Sequence, residues 1–335
     1  MKKQLILINN EKVNKENCNF FCDNIFMKHI PEDLSEKFNI HMISRSSKIQ
    51  RSHKINLQQI KLGNNIFSYL INILKTLKFK DAKYFVISVT PYTFFASLIL
   101  ILLKRQRYIY LISNGYEEYR SIFGTLGPII FHVMFFFSTL KSKIIVCQKR
   151  ISKKKSSLVF PSQLDAEWFE KIIQPPLSKP KLLYVGRIKV EKGIFSLVKI
   201  LNEMDDDVEL SILGKPVNEK IKSKKVNYLG YEKNSDLLKK TYDNHNIFIL
   251  PSFTEGHPQA LDEALARKRP VIIFDEINHV IQNRKGVFIS QRNVKSLTFT
   301  IKYIMKNYFE IQKSMMKNNL PTRKKFISDL IHILS

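Results

Sequence analysis

Glu255 and Glu263 stand eight residues apart in the stretch LPSFTEGHPQALDEALARKRPVIIF, Leu250 to Phe274. The run NIFILP before them reads as a buried strand, SFTEGH as a loop, and Ala260, Leu261, Ala264 and Leu265 as the apolar face of a helix. Pro258 suits the first helical position, where its missing N–H costs nothing. Glu255 then lies in the loop at the strand's carboxyl end, and Glu263 on the helix flank more than a turn inside. Carboxylates accept hydrogen bonds from hydroxyls. A pair placed this way can hold the hydroxyls of two sugars, with the N–H groups of Gly256 and His257 facing a phosphate at the positive helix end. The plainer alternative is a solvated helix with ordinary surface acids. His257 reads either as a contact to that ligand or as a partly exposed loop histidine.

A second cluster supplies cations. YVGRIKVEKG (184–193) follows another apolar run, LLYV, and precedes a helical stripe of Ile194, Leu197, Val198 and Leu201. Gly186 permits a tight turn, Arg187 follows it, and Lys192 sits beside Gly193 at the helix start. Arginine clamps two oxygens in one plane and lysine adds a mobile point charge, so the pair suits a diphosphate at a helix N-terminus. The segment lacks the G-x-x-x-x-G-K-[ST] of a Walker loop and the G-x-G-x-x-G of a dinucleotide fold, which removes the main support for a kinase or dehydrogenase.

These loops need strands to hold them. In the first half, apolar runs fall at 5–8, 40–44, 84–89, 108–112 and 143–147; in the second, at 181–186, 208–214, 226–230, 246–251, 270–274 and 286–290. Helical periods separate most of them, the rhythm of parallel α/β sheets. QPPLSKPK (174–181), with its prolines, reads as the linker. The expected organisation is an N-terminal domain over 1–175, a C-terminal domain over 176–318 and a closing helical segment over 319–335. Ligands of open α/β sheets bind outside the carboxyl ends of the strands, and that is where both clusters fall.

Composition narrows the class. The chain of 335 residues is 44% hydrophobic, enough for two cores rather than a disordered polymer. Cys18, Cys22 and Cys147 make no disulfide framework and read as free thiols. The net charge of +26 concentrates in the N-terminal half: from Arg45 to Arg107 there are twelve Lys or Arg and one acid, Asp81. Such a field favours phosphorylated ligands or an anionic membrane leaflet; a general lysine richness is the bland account. No zinc-finger or RNA-recognition signature accompanies it, so no nucleic-acid partner is expected. FFASLILILL (94–103) and LGPIIFHVMFFFSTL (126–140) are shorter than the roughly 18 apolar residues of a spanning helix and are expected as buried core helices, with a helix dipping into a membrane interface as the lesser alternative. Asp205-x-Asp207 in MDDDVEL reads as a solvated turn, not a metal site.

In order and spacing, LYVGRIKVEKG, VELSILG, VNYLGY and IFILPSFTEGHPQALDEALARKRPVI resemble the retaining GT-B glycosyltransferases of group 1, family GT4. The E-x7-E pair with G-R-x4-K-G and E-G-x-P carries the likeness, strongly over some 110 residues and weakly over VFPSQLDAEWF. The resemblance implies two Rossmann-like doubly wound domains facing a cleft, with the C-terminal helix returning to the N-terminal domain. It implies transfer of a sugar from a UDP- or GDP-linked donor to a glycan or lipid-linked acceptor, with retention and without a metal or other cofactor. Arg187 and Lys192 would bind the diphosphate beside Gly186, Glu263 the ribose and Glu255 the transferred sugar. The 256–258 backbone, ending at Pro258, would support the sugar hydroxyls or the phosphate, and Gly230 and Tyr231 would lie near the base. It further implies surface polysaccharide, capsule or lipopolysaccharide assembly by an enzyme in the cytoplasm, peripheral on the membrane.

Two features depart from the family pattern. LINNEKVNKENCNFF (7–21) has no glycine where members carry a glycine-rich loop. LISNGYEEYRS (111–121) has no histidine near the reacting sugar. His132, farther on in an apolar helix, reads as core. Asn114, or one of the neighbouring glutamates, is the acceptor-side candidate; the next alternative is that no residue is needed there. Loss of activity is the competing outcome, leaving a non-catalytic nucleotide-sugar-binding partner of another enzyme; a GT-B sugar-nucleotide epimerase is a third reading.

Overall fold

The computed structural model describes residues 2–215, 223–232 and 234–335. Two compact units emerge: residues 1–161 with 323–335, and residues 162–322. The division precedes the proline-rich stretch, so the expected boundary at 175 falls inside the second unit. Buried contacts explain the difference. Leu164 and Trp168 lie in the second unit's core, and the Arg267 guanidinium donates to the carbonyls of Trp168, Glu170 and Lys171.

In the first unit the strands are β1 (Lys3–Glu16), β2 (Asn19–Cys22), β3 (Phe38–Ser46), β4 (His53–Ile55), β5 (Ile60–Gly63), β6 (Lys83–Ile87), β7 (Arg107–Leu111), β8 (Lys143–Val146) and β9 (Ser156–Leu158). The parallel sheet runs β5-β3-β1-β6-β7-β8-β9. Helix α1 (Ile25–Leu34) precedes β3, while α2 (Ile66–Leu74), α3 (Pro91–Leu102) and the hairpin α4 (Gly115–Phe123)–α5 (Gly127–Thr139) are the crossovers to β6, β7 and β8. Right-handed crossovers place α2, α3 and α5 on one face, where each packs on the next.

The region without a glycine-rich loop is now explained. β1 does not stop at Ile8: it continues to Glu16 and pairs antiparallel with β2, which pairs with β4. A β-hairpin stands where a tight glycine turn was the family expectation.

The second unit has β10 (Lys181–Val185), β11 (Glu209–Leu213), β12 (Val226–Gly230), β13 (Ile247–Leu250), β14 (Val271–Phe274) and β15 (Val287–Ser290), in the order β12-β11-β10-β13-β14-β15, all parallel. Its helices are α6 (Ile194–Glu203), α7 (Ser235–Asp243), α8 (Gln259–Ala266), α9 (Val294–Lys306) and α10 (Tyr308–Met315). The strand order reverses between β10 and β13, the topological switch point at which ligands of such sheets bind. All six apolar runs of this half form strands: each is short and rich in apolar, β-branched or aromatic residues, and five end at Gly, Pro or Ser while PVIIF ends at Asp275.

The last helix, α11 (Arg323–Leu334), belongs to the first unit. Phe326 and Leu330 enter that core, and Arg323 forks onto both carboxylate oxygens of Asp33 at 2.7 and 2.5 Å.

Candidate donor site

The switch point of the second unit brings the loop after β10 against the loop after β13. Gly193 makes this possible. It caps α6 with φ +68°, and a Cβ there would lie 1.8 Å from the Pro251 carbonyl oxygen. Only glycine tolerates both the left-handed backbone and that approach. The Phe253 N–H donates to the Glu191 carbonyl at 3.0 Å and fastens the loops together.

Lys192 and Glu255 meet across this seam. The ammonium lies 2.7 Å from Glu255 Oε1, and Ser252 Oγ donates to the same oxygen at 2.6 Å. Both side chains are mostly enclosed, which weakens screening of the pair. His279 Nε2 lies 3.0 Å from the Glu255 carbonyl oxygen and fixes the backbone. Arg187 is exposed at the mouth of the same loop, and its guanidinium has no side-chain partner among the described residues. The loop thus offers Lys192 and Lys189 held in ion pairs, the latter with Glu191 at 3.5 Å, and Arg187 presented to solvent.

Glu263 behaves differently. The residue keeps some surface, but its carboxyl is enclosed, and loss of hydration pushes its pKa up to about 7. The Tyr242 hydroxyl donates to Oε2 at 2.8 Å and opposes that rise; the nearby Asp262 charge adds to it. A carboxyl poised this way has a strong demand for further hydrogen-bond donors when ionised. Helix α8 starts one residue later than the sequence suggests, with Pro258 as its cap rather than its first residue.

His257 does not face outward. Its ring is 1% exposed and Nε2 lies 2.8 Å from Asp262 Oδ2; the other oxygen of Asp262 takes the Arg284 guanidinium. His257–Asp262–Arg284 is a buried brace that fixes the TEGHP loop to α8 and to the segment after β14. The imidazole is thus enclosed while the residue as a whole keeps some surface, and a contact from His257 to a ligand remains a proposal. A second brace is Arg292, after β15. It donates to Glu276 at 2.8 Å, Ser196 Oγ at 2.9 Å and the Pro251 carbonyl at 3.0 Å, and it stacks on Phe253 and Phe274 with ring centroids 4.2 Å away. Sequence reading missed Asp262, Arg284 and Arg292. Arg284 lies 22 residues from Asp262 and Arg292 lies 96 from Ser196, so only the fold brings these together, and the five-residue spacing of His257 and Asp262 carries no signal of its own.

Gly230 and Tyr231 close β12 at the same end of the sheet. Gly230 has φ +80°, its carbonyl accepts from the Gly214 N–H at 2.7 Å, and the half-exposed Tyr231 ring carries Lys215 Nζ 5.0 Å from its centroid. Gly186 also sits at this edge, its carbonyl so close to Gly214 that a Cβ on Gly214 would approach it to 2.0 Å. The structure therefore gathers Gly186, Arg187, Lys192, Gly230, Tyr231 and the 255–263 segment along one edge. Asp205 and Asp207 are exposed at the opposite end, ahead of β11.

In the first unit, Asn114 follows β7 and caps α4. Its Oδ1 accepts from the Tyr116 N–H at 3.2 Å and its Nδ2 donates to Glu117 at 2.7 Å. His132, expected in the core, is instead exposed on α5, with Nδ1 2.9 Å from the Tyr116 hydroxyl.

Residues 165–321 match the family described as Glycosyl transferases group 1. TuaC of Bacillus subtilis (strain 168), named for teichuronic acid biosynthesis, is 29% identical over 128 residues. The capsular polysaccharide biosynthesis glycosyltransferase CapM of Staphylococcus aureus is 27% identical over 190 residues. The matches cover 38% and 50% of this chain and 33% and 50% of those proteins, so the chain spans at most half the length of these curated relatives. Among solved structures, Anabaena Alr3699/HepE in complex with UDP and glucose superposes with a TM-score of 0.72 at 10% identity, covering 98% of each chain. WaaG, a glycosyltransferase involved in lipopolysaccharide biosynthesis, gives 0.68 at 12% identity, covering 98% of this chain and 99% of that one. These likenesses show the fold, two parallel-sheet α/β units of the GT-B kind.

Proposed function

From the premise that the chain belongs, through residues 165–321, to the group 1 glycosyltransferases, we propose that it transfers a sugar from a nucleotide-diphosphate donor to an acceptor hydroxyl with retention of configuration. One observation carries the reading: the 2.7 Å meeting of Lys192 with Glu255 across the seam of the β10 and β13 loops, at the sheet's switch point. In this reading Arg187 and Lys192 take the diphosphate and stabilise charge as it grows on the leaving group. Lys192 then exchanges its carboxylate partner for phosphate, and Glu255 is released to accept from the sugar hydroxyls. Glu263 accepts from the ribose, and Tyr231 offers a ring to the base. The bond from the anomeric carbon to the phosphate oxygen breaks, a bond to the acceptor oxygen forms on the same face, and the acceptor proton passes to the departing phosphate.

The names of the relatives support a bacterial surface polysaccharide or lipid-linked glycan as the acceptor. The basic first unit suits an enzyme working in the cytoplasm at an anionic membrane surface. A non-catalytic nucleotide-sugar binder is the second reading, favoured by the engagement of Asn114 in capping α4. A thermal-shift panel of UDP- and GDP-sugars followed by a product assay separates them. A donor that raises the melting temperature and is consumed only with acceptor supports transfer. Donor binding without turnover supports the binder, and no shift with any nucleotide sugar sinks both.

A further inference from the structure

The first unit carries an apolar surface that its own core does not use. On α5, Phe131, Met134 and Phe135 point inward, whereas Ile129, Ile130, Val133, Phe136 and Phe137 are exposed on the opposite side. The stripe continues through Ile122, Phe123 and Leu126 at the α4–α5 turn. The neighbouring helices add to it: Phe95 and Leu102 on α3 and Phe67, Ile71 and Leu74 on α2 are exposed, Leu102 by 79% and Phe67 by 75%. The expectation of buried core helices at 94–103 and 126–140 is thus half right, since one side of each is core and the other is bare.

Gly115–Thr139 is long and apolar enough to cross a membrane by length and composition. It is broken at Gly124 (φ +61°), and Tyr119, Phe131, Met134 and Phe135 are buried in the protein, so it lies along the unit as part of a layer.

Charge identifies what covers this layer. The three crossover helices run parallel, and each is followed at once by an exposed lysine: Lys75 after α2, Lys104 just past α3 and Lys141 just past α5. Lys78, Lys80 and Lys143 are exposed along the same edge. Between Arg120 and Leu164 there is no Asp or Glu, so no acid on α5 or the strands after it offsets these cations; the acids of α4, Glu117 and Glu118, lie in its first turn, and Asp81 is a single acid beside Lys80. A lysine past a helix end also complements the helix dipole, but that effect gives no account of an apolar stripe beside it. We infer that the outer face of α2, α3 and the α4–α5 hairpin lies in the interface of an anionic lipid bilayer, with its apolar side chains among the acyl chains and the lysine row at the headgroups. The inference deepens the peripheral placement proposed above and does not depend on the donor chemistry.

Flotation of the full chain with phosphatidylcholine vesicles, with and without added phosphatidylglycerol, tests it. The wild type is expected to float with the anionic vesicles and much less with the neutral ones. The triple variant Ile129→Gln, Val133→Gln, Phe136→Gln should lose on the order of a hundredfold in vesicle affinity. The variant Lys75→Gln, Lys104→Gln, Lys141→Gln should lose roughly fivefold per lysine, on anionic vesicles only. An unchanged circular-dichroism spectrum and melting temperature in both variants show that they fold, a control that needs no donor and keeps this result separate from the glycosyl-transfer reading. Equal binding of the wild type to both vesicles, or to neither, overturns the proposal. So does a lipid-free dimer in sedimentation velocity that the apolar triple variant dissolves while vesicle binding stays intact.

Discussion

The two units share a parallel-sheet plan but differ at the carboxyl ends of their strands. In the second unit the loops are cross-braced by charge. Arg284 and His257 converge on Asp262, Arg292 ties the β15 loop to Pro251 and Ser196, and Lys192 pairs with Glu255. In the first unit the corresponding edge holds the antiparallel extension of β1 and a capped helix start at Asn114. Under the proposed function this edge takes the highly charged, constant donor, and such a site calls for bracing because charges must be held in place before the ligand arrives. An acceptor side that varies with its substrate carries no such requirement. The comparison is therefore one of fixed against adaptable edges, and substitutions should cost most where the bracing is densest.

The largest effect is expected at Asp262. Asp262→Ala leaves Arg284 and His257 without their shared carboxylate inside the protein, which should cost about 3–5 kcal/mol of stability. Urea unfolding of the second unit measures it. A loss below about 1 kcal/mol would mean that the brace is not a brace, and the contrast between the units would collapse.

Lys192→Ala comes next, and acts on function more than on fold. Ser252 still donates to Glu255 in the variant, so the melting temperature should move little. Under the proposed function turnover should fall about 10²–10³-fold, as for other preorganised charge stabilisers. Steady-state rates with a saturating donor test this, and an unchanged kcat would remove Lys192 from the machinery.

Glu263 sharpens the comparison through pH. Its folded pKa of about 7 exceeds the ordinary carboxyl value of 4.5, so between these limits the folded state binds more protons than the unfolded state. Stability attributable to this group therefore declines as pH rises through that window. The full cost, on the order of 3 kcal/mol, is present above pH 7 and absent below 4.5. Glu263→Gln should stabilise the ligand-free protein at pH 8 and flatten this part of its pH profile. It should weaken nucleotide binding by about 1.5–3 kcal/mol, the usual value of hydrogen bonds to a charged group. Wild-type affinity should fall as pH drops below 7, because the ribose then competes with a proton. Calorimetric titration at pH 6 and 8 decides it: equal affinity at both would take the ribose away from Glu263.

How far the sequence reveals this depends on how local each feature is. The eleven principal strand runs are legible because each is a short apolar run bounded by turn residues, and the motif loops are legible because their residues are consecutive. The continuation of β1 through KVNKE, and the three- or four-residue strands β2, β4, β5 and β9, are polar or very short, and their pairing is set by partners elsewhere. The braces are invisible for the same reason: Arg284 lies 22 residues from Asp262, and Arg292 lies 96 from Ser196. The bare helical face is ambiguous in the sequence because apolar residues on both sides of a helix look alike whether the second side is buried or exposed.

Asn114 gives the smallest expected effect and the finest test of the adaptable edge. Its side chain caps α4 and also holds Glu117, which lies 3.3 Å from Arg150. If capping is its whole role, Asn114→Ala should cost about 1 kcal/mol of stability, and Asn114→Asp or Asn114→Ser, which also cap well, should restore both stability and rate. If its amide also positions the acceptor, the capping variants should recover the melting temperature but not the rate, with the deficit in the acceptor KM and kcat rather than in donor affinity. That split places Asn114 at the reaction or leaves it at the helix end, because a cap needs only an oxygen whereas an acceptor hydroxyl can use the N–H as well.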